Sequence, residues 1–373
     1  MRRIALLIAL QLAAFSSGVV VAFAQSTQGV IGGGVVLESY RFADPDAAGL
    51  EGLTLLTVPL AFRAPLGRFL VLDFGGAFAR GSLSRADGST AHLAGLTDTQ
   101  MTLSAVVVPD RLSLGVVALL PTGKQRVTDE EAEVAGAVSA DLLPFRISNW
   151  STGGGLGLST SVAQSAGNVS LGLAASYVVG REFDLLESTE FAYRPGNQLV
   201  VRGTLGAPVG DAGNLELQFT LQNASEDRVN GSNLYRPGNR LMGLASYSFR
   251  AGSTGSALVY AGVFHRSEGT YLLETSSDAA AEDLLLAGGG LRVPVAGLVL
   301  QPSVDLRVVR RGNGLDQGNS LGVGASAEWP RSPSLTLLPL VRGRFGTVRV
   351  RDGVETGFTG LDAGLIVRFG SRR

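Results

Sequence analysis

The chain contains no cysteine, which removes thiol chemistry and cysteine-based zinc sites and fits passage through an oxidising periplasm. It has two histidines, His92 and His265, too few for the clusters that hold catalytic metals. Charged residues make up only 17 % of the chain and the net charge is -1, so the basic surface that nucleic acid requires is missing. Aromatics are sparse, at 7 %. Beyond residue 24 no apolar run approaches the roughly 18 residues of a spanning helix; Val293 to Leu300 is broken by Pro294 and Gly297. What the chain does have is 45 % hydrophobic residues and 51 glycines, an unusual pairing for a soluble domain.

The N-terminus reads as an export signal. Met1-Arg2-Arg3 is the positive end, Ile4 to Phe15 the apolar core, and Ala22-Phe23-Ala24 the cleavage site before Gln25. The division expected is therefore a signal peptide over 1–24 and a single mature unit over 25–373. An exported, hydrophobic chain without a spanning helix is either secreted or an outer-membrane β-barrel.

Periodicity favours the barrel. Leu361, Ala363, Leu365, Val367 and Phe369 form one face of the last strand, and Asp362, Gly364, Ile366 and Arg368 the other. Leu215, Leu217, Phe219 and Leu221 likewise interleave with Glu216, Gln218, Thr220 and Gln222. A two-residue rhythm of apolar against polar suits a strand between lipid and a wet lumen. About sixteen such segments follow one another, near 30–41, 50–62, 68–80, 95–108, 111–120, 151–164, 168–180, 196–207, 213–223, 239–250, 256–266, 284–294, 298–310, 319–329, 333–346 and 357–369. Short links such as Pro109-Asp110 and Ala166-Gly167 alternate with longer ones such as Gly81–Ala91, Gly180–Ala192 and Asn223–Gly238. That alternation is expected when one rim faces the periplasm and the other the exterior. The fold expected is an all-β, transmembrane, antiparallel up-and-down barrel of about 14–16 strands. Segments 256–264 and 284–287 are apolar on both faces and fit the rhythm poorly.

Several aromatics fall at predicted strand ends, where an interfacial girdle belongs: Tyr40, Phe42, Phe62, Trp150, Phe191, Tyr193, Tyr235, Trp329 and Phe369. Two echoes recur. Tyr193-Arg194-Pro195-Gly196-Asn197 returns as Tyr235-Arg236-Pro237-Gly238-Asn239, either a reused turn signal or a loop motif for ligand capture. Leu298–Arg307 resembles Leu335–Arg344, with Pro302 matching Pro339; a bulge at each proline would accommodate it.

The third long loop, Pro121 to Trp150, is exceptional in length. Thr128-Asp129-Glu130-Glu131 reads as a capping box, with Val134, Val138 and Leu142 following at helical spacing and Pro144 closing the run. A helix of about three turns is expected, folded into the lumen or capping the outer rim. The expected lumen-facing polar residues are Asp73, Asp98, Gln100, Arg202, Glu216, Gln218, Arg292, Asp305, Arg307, Arg342, Arg344, Asp362 and Arg368. Acids dominate the earlier strands and arginines the later ones. Opposed charged walls would set up a transverse field that selects polar solutes, or the groups would pair and brace a filled interior.

No catalytic residue is expected. His265-Arg266-Ser267 offers the types of a Ser-His pair, but adjacent strand residues face opposite ways. Pro121-Thr122-Gly123-Lys124 lacks the upstream glycine of a phosphate loop. Neither cofactor nor metal is implied.

Gly95-Leu96-Thr97-Asp98-Thr99, then Pro109-Asp110-Arg111-Leu112-Ser113-Leu114, then Leu120-Pro121-Thr122-Gly123-Lys124 resemble, in order, motifs of bacterial outer-membrane transporters linked to phenol degradation. Those are in turn loosely similar to long-chain fatty-acid channels. The resemblance covers mainly residues 95–205, where Tyr193-Arg194-Pro195-Gly196 also fits. It implies passage of hydrophobic or aromatic compounds. The expected role is a passive outer-membrane channel for small solutes, monomeric or homotrimeric, whose partners are its solutes, outer-membrane lipid and the barrel-assembly machinery. The rival is a filled structural or surface-recognition barrel.

Overall fold

The structure, a computed structural model, describes residues 29–370 apart from 189–190, 211–212, 273–278, 311–316 and 352–353. The expected signal over 1–24 lies outside the described residues. The wall begins with β1 (Val30–Phe42), β2 (Leu50–Leu66), β3 (Leu70–Arg85), β4 (Thr90–Leu96), β5 (Thr99–Val108) and β6 (Leu112–Leu120). After the third long loop come β7 (Gly155–Ala166) and β8 (Val169–Gly180), and then two short loop strands, β9 (Phe183–Asp184) and β10 (Ala192–Arg194). The wall resumes with β11 (Gln198–Val209) and β12 (Gly213–Ala224), followed by the loop strands β13 (Asp227–Val229) and β14 (Ser232–Arg236). Next are β15 (Arg240–Ala251), β16 (Gly255–Arg266), the loop strand β17 (Thr270–Tyr271) and β18 (Glu282–Val295). The wall ends with β19 (Leu298–Arg310), β20 (Gln317–Pro330), β21 (Leu335–Arg351) and β22 (Val354–Gly370).

The main sheet has seventeen segments, but β4 and β5 both pair with β3 and form one stave broken at Thr97-Asp98, so the barrel has sixteen strands. It closes by pairing β1 with β22, from Val30↔Gly370 to Phe42↔Phe358. Closure leaves no edge with unpaired amides, the condition for a sheet to cross a bilayer.

Side chains alternate about this wall. Leu156, Leu158 and Val162 on β7, Leu171 and Leu173 on β8, and Leu361, Leu365 and Phe369 on β22 all stand exposed on the outer face. Apolar surface on this scale is unfavourable in water by about 25 cal/mol per Å² and neutral in lipid. The protein is an outer-membrane β-barrel.

Three local expectations are corrected. The expected loop Gly81–Ala91 is mostly strand: β3 runs to Arg85 and turns through Ala86–Ser89 into β4. Pro302 and Pro339 make no bulge. Pro302 pairs with Ala325 and Pro339 with Leu365 in unbroken register, while the ladder on the other side lapses, β18–β19 beside Pro302 and β20–β21 beside Pro339. A strand residue bonds alternate neighbours, so each proline costs one lapse and no shift. Of the expected girdle aromatics, Tyr40, Phe42, Trp150, Tyr193 and Tyr235 are buried within the protein instead, and Phe191 packs half-buried against its core. The girdle that does form lies at the short-turn rim. Phe62 stacks on Phe74 at 4.9 Å and Tyr247 on Phe249 at 5.4 Å, and Arg331 sits 4.5 Å over the Trp329 ring.

Candidate functional site

The third long loop folds into the lumen. Its helix spans Asp129–Val138, opened by a complete capping box in which Thr128 Oγ1 accepts from the Glu131 amide and the Glu131 carboxylate from the Thr128 amide. Ala132, Val134, Ala135 and Val138 are buried against Leu53, Leu55, Ala79, Leu83 and Leu93 of the wall. The fit is close at Gly81, where a Cβ would lie 2.8 Å from Val134 Cγ1 and 3.2 Å from the Trp150 ring. Beyond the helix, Leu142, Leu143 and Phe145 continue the buried surface, and Phe145 meets Tyr40 edge-on at 5.0 Å. The wall residues opposite are Met242, Phe264, Leu284 and Leu286. Phe264, Leu284 and Leu286 belong to the segments that read as apolar on both faces: one face meets lipid and the other meets the loop.

Both ends of the loop hang from one side chain. Asp98, at the break between β4 and β5, accepts from Gly123 N (3.0 Å), Ser151 Oγ (3.0 Å), Thr152 N (2.6 Å) and Thr152 Oγ1 (2.9 Å). Thr122 Oγ1 donates to the Thr97 carbonyl at 2.9 Å, and Lys124 pairs with Glu131 of the helix. The Gly-Leu-Thr-Asp-Thr and Leu-Pro-Thr-Gly-Lys stretches are therefore the two sides of one clamp. Asp98 is one of the expected lumen-facing charges, and the geometry gives it the part of a fastening for the loop.

The other expected lumen residues fall on the inner face, and most are already engaged. Arg344 spans Asp305 (2.7 Å) and Asp362 (3.3 Å), and Arg342 Nη1 lies 3.2 Å from Asp305. Arg307 donates to the Asp141 carbonyl of the loop at 3.0 Å. Toward the short-turn rim, Arg292 pairs with Glu328 at 2.7 Å and Gln218 donates to Glu216 at 2.7 Å. Asp73 faces Arg63 at 3.7 Å. Gln100 and Arg202 stand exposed within the lumen, and Arg368 is half-buried on β22.

The structure adds residues that the pattern did not single out: Glu38, Arg63, Arg146 and Glu328. Glu38 is buried on β1 beside Asp362 and accepts from the Arg146 amide at 3.0 Å. Its isolation between Leu37 and Ser39 was a visible signal, since one strand face is the lumen. The opposed acidic and basic walls do not form. Arg63 stands with the early acid, and Glu38, Asp305, Glu328 and Asp362 stand among the late arginines.

Between the loop and the wall from β15 to β22 lies a cavity of about 500 Å³. Arg146, Arg307, Arg342, Arg344, Glu38, Asp141 and Asp362 supply its charged lining, with the apolar residues of β15, β16 and β18 facing them.

Above the barrel, β17, β14, β13, β10 and β9 form a five-stranded sheet from three loops. Here the Tyr-Arg-Pro-Gly-Asn echo proves to be one docking geometry used twice. Asn197 N donates to Ser225 Oγ at 2.8 Å and Asn239 N to Ser267 Oγ at 2.9 Å, each across 28 residues. Tyr193 donates to buried Asp227 at 2.8 Å, and Gly196 N to the same carboxylate at 2.7 Å. Burial pushes Asp227 up to about 6 despite those two bonds, and it holds the Tyr193 phenol well above its ordinary range. His265 Nδ1 pairs with Asp283 at 2.7 Å, while Ser267 is held by Asn239, so no Ser-His pair assembles.

No protein-family model matches the chain, and no curated protein matches it. Solved barrels resemble it in architecture at low identity. The CymD monoaromatic hydrocarbon channel is 13% identical with a TM-score of 0.45, over 97% of this chain and 95% of that one. The outer membrane channel DcaP of Acinetobacter baumannii is 11% identical, TM-score 0.43, over 93% and 99%. An anion-selective porin from Comamonas acidovorans is 12% identical, TM-score 0.42, over 92% and 98%.

Proposed function

We propose that the barrel is a passive outer-membrane channel for small solutes, narrowed at mid-height by the third loop and the arginine wall. The observation that carries this reading is the polar-lined cavity of about 500 Å³ that remains between the loop and β15–β22. Below it, toward the short-turn rim, inner residues such as Gln100, Arg202 and Arg292 are exposed, which supports a wide, wet vestibule. A solute would enter among the outer loops, pass the loop and the arginines, and leave on the periplasmic side. The motif resemblance of residues 95–205 extends the proposal to hydrophobic or aromatic solutes. The apolar core between the loop and β2–β4 favours the second reading, a barrel filled for structural use. Planar-bilayer recording separates them: stepwise conductance from the purified full chain is expected, and a folded, heat-modifiable protein without steps would leave the filled barrel.

A further inference from the structure

The cavity beside the third loop has two unlike sides. Met242, Phe264, Leu284 and Leu286 make one of them apolar. On the other, the carboxylates stand at the back. Asp305 and Asp362 are each 10% exposed and Arg344 3%, whereas Arg342 is 35% exposed. Four arginines line the cavity against the carboxylates of Glu38, Asp141 and Asp362, and Arg342 is the most exposed of the paired groups on this wall.

That guanidinium is paired with Asp305 but keeps donors to spare. Arg342 Nη1 lies 3.2 Å from Asp305 Oδ1, yet this oxygen receives no directed hydrogen bond. Among the described residues its one hydrogen bond is a long one, 3.4 Å from Nη2 to Ser303 Oγ. Arg146 lines the same cavity from the loop side. Arg307 differs, because the Asp141 carbonyl occupies it. A guanidinium carries five donors in a planar fork that matches a carboxylate.

We propose that this cavity binds a small organic monoanion with a flat apolar body, an aromatic carboxylate. The carboxylate sits between Arg342 and Arg146, and the ring lies against Phe264 and Leu284. The volume lies within the range of small-molecule sites. Neutral analogues lose the ionic contact, and cationic ones meet Arg342 directly. This names a solute class for the passage proposed above and rests on that reading only for transport, not for binding.

Equilibrium dialysis of the detergent-purified full chain against benzoate, benzyl alcohol and benzylammonium tests it. Benzoate is expected to bind at least about ten-fold more tightly than the other two, the step that one charge-assisted bond confers. Arg342→Gln is expected to cut benzoate affinity about ten-fold and leave the weak binding of benzyl alcohol unchanged. If that variant fails to fold by heat-modifiable gel migration, Arg146→Gln, in the loop, serves in its place with the same expected loss. Equal binding of the three probes, or benzoate binding that neither variant weakens, overturns the site. Conductance reports separately. Benzoate binding without conductance keeps the site and overturns the channel, and conductance without benzoate preference does the reverse.

Discussion

Two sets of long loops in this barrel are each fastened by one aspartate, and the fastenings differ. Inside the lumen, Asp98 gathers four donors from both ends of one loop. Above the barrel, Asp227 gathers two, from Tyr193 and Gly196, in a drier setting. The inner loop also buries a helix face against the wall, while the outer loops depend on strand pairing and on docking through Ser225 and Ser267. Burial with only two donors makes the charged form of Asp227 expensive, so the outer fastening is titratable.

The largest expected effect comes from removing the inner clamp. Asp98→Ala leaves the Gly123 and Thr152 amides without their acceptor, a loss on the order of 3 kcal/mol for charge-assisted bonds. The third loop should leave its seat, single-channel conductance should rise about two-fold or more, and added protease should cut within 121–154. Asp227→Ala should loosen the outer sheet and leave conductance at the wild-type value. Equal conductance changes in the two variants would erase the distinction.

Steric substitutions sharpen the same contrast at smaller cost. Gly81→Val places a Cβ 2.8 Å from Val134 in a packed interface, an overpacking cost of about 1–3 kcal/mol. It should mimic the conductance gain of Asp98→Ala in part. At Gly196 a Cβ would overlap the Ser225 carbonyl oxygen, so Gly196→Ala should dislodge the outer sheet. Its readout is faster proteolysis around residues 192–236 with unchanged conductance; a conductance gain would show the two loop systems to be coupled.

How legible each region was follows from what its residues face. Lipid-facing residues must be apolar at every second position, so β12 and β22 were readable and closure followed. The rhythm failed at Phe264, Leu284 and Leu286 because their inner neighbours are apolar loop residues rather than water. The capping box at Thr128 announced the helix but not its place, since a helix buries its apolar face equally well inside or above a barrel. Buried Tyr40 and Trp150 were misplaced in a girdle because strand-end position is shared by rim and interior. Asp98 looked like a pore charge because its donors come from residues 25 to 54 positions away. The place of Arg342 in the proposed anion site depends on which paired guanidinium stays most exposed, a property of geometry that spacing does not carry.

The smallest expected effect is the pH response of the outer sheet. Burial raises Asp227 from 3.8 to about 6, so the closed sheet holds its proton more tightly than the open loops do. Its contribution to stability is full at low pH, falls as pH rises through that interval, and is constant above about 6. Between pH 5 and pH 7 the opening constant should rise about ten-fold. Hydrogen exchange of amides in β10, β13 and β14, corrected for the intrinsic rate at each pH, reports it. Asp227→Asn should flatten the profile. A flat wild-type profile would mean that the bonds from Tyr193 and Gly196 offset the burial of Asp227 in full, and the outer fastening would then carry no pH dependence.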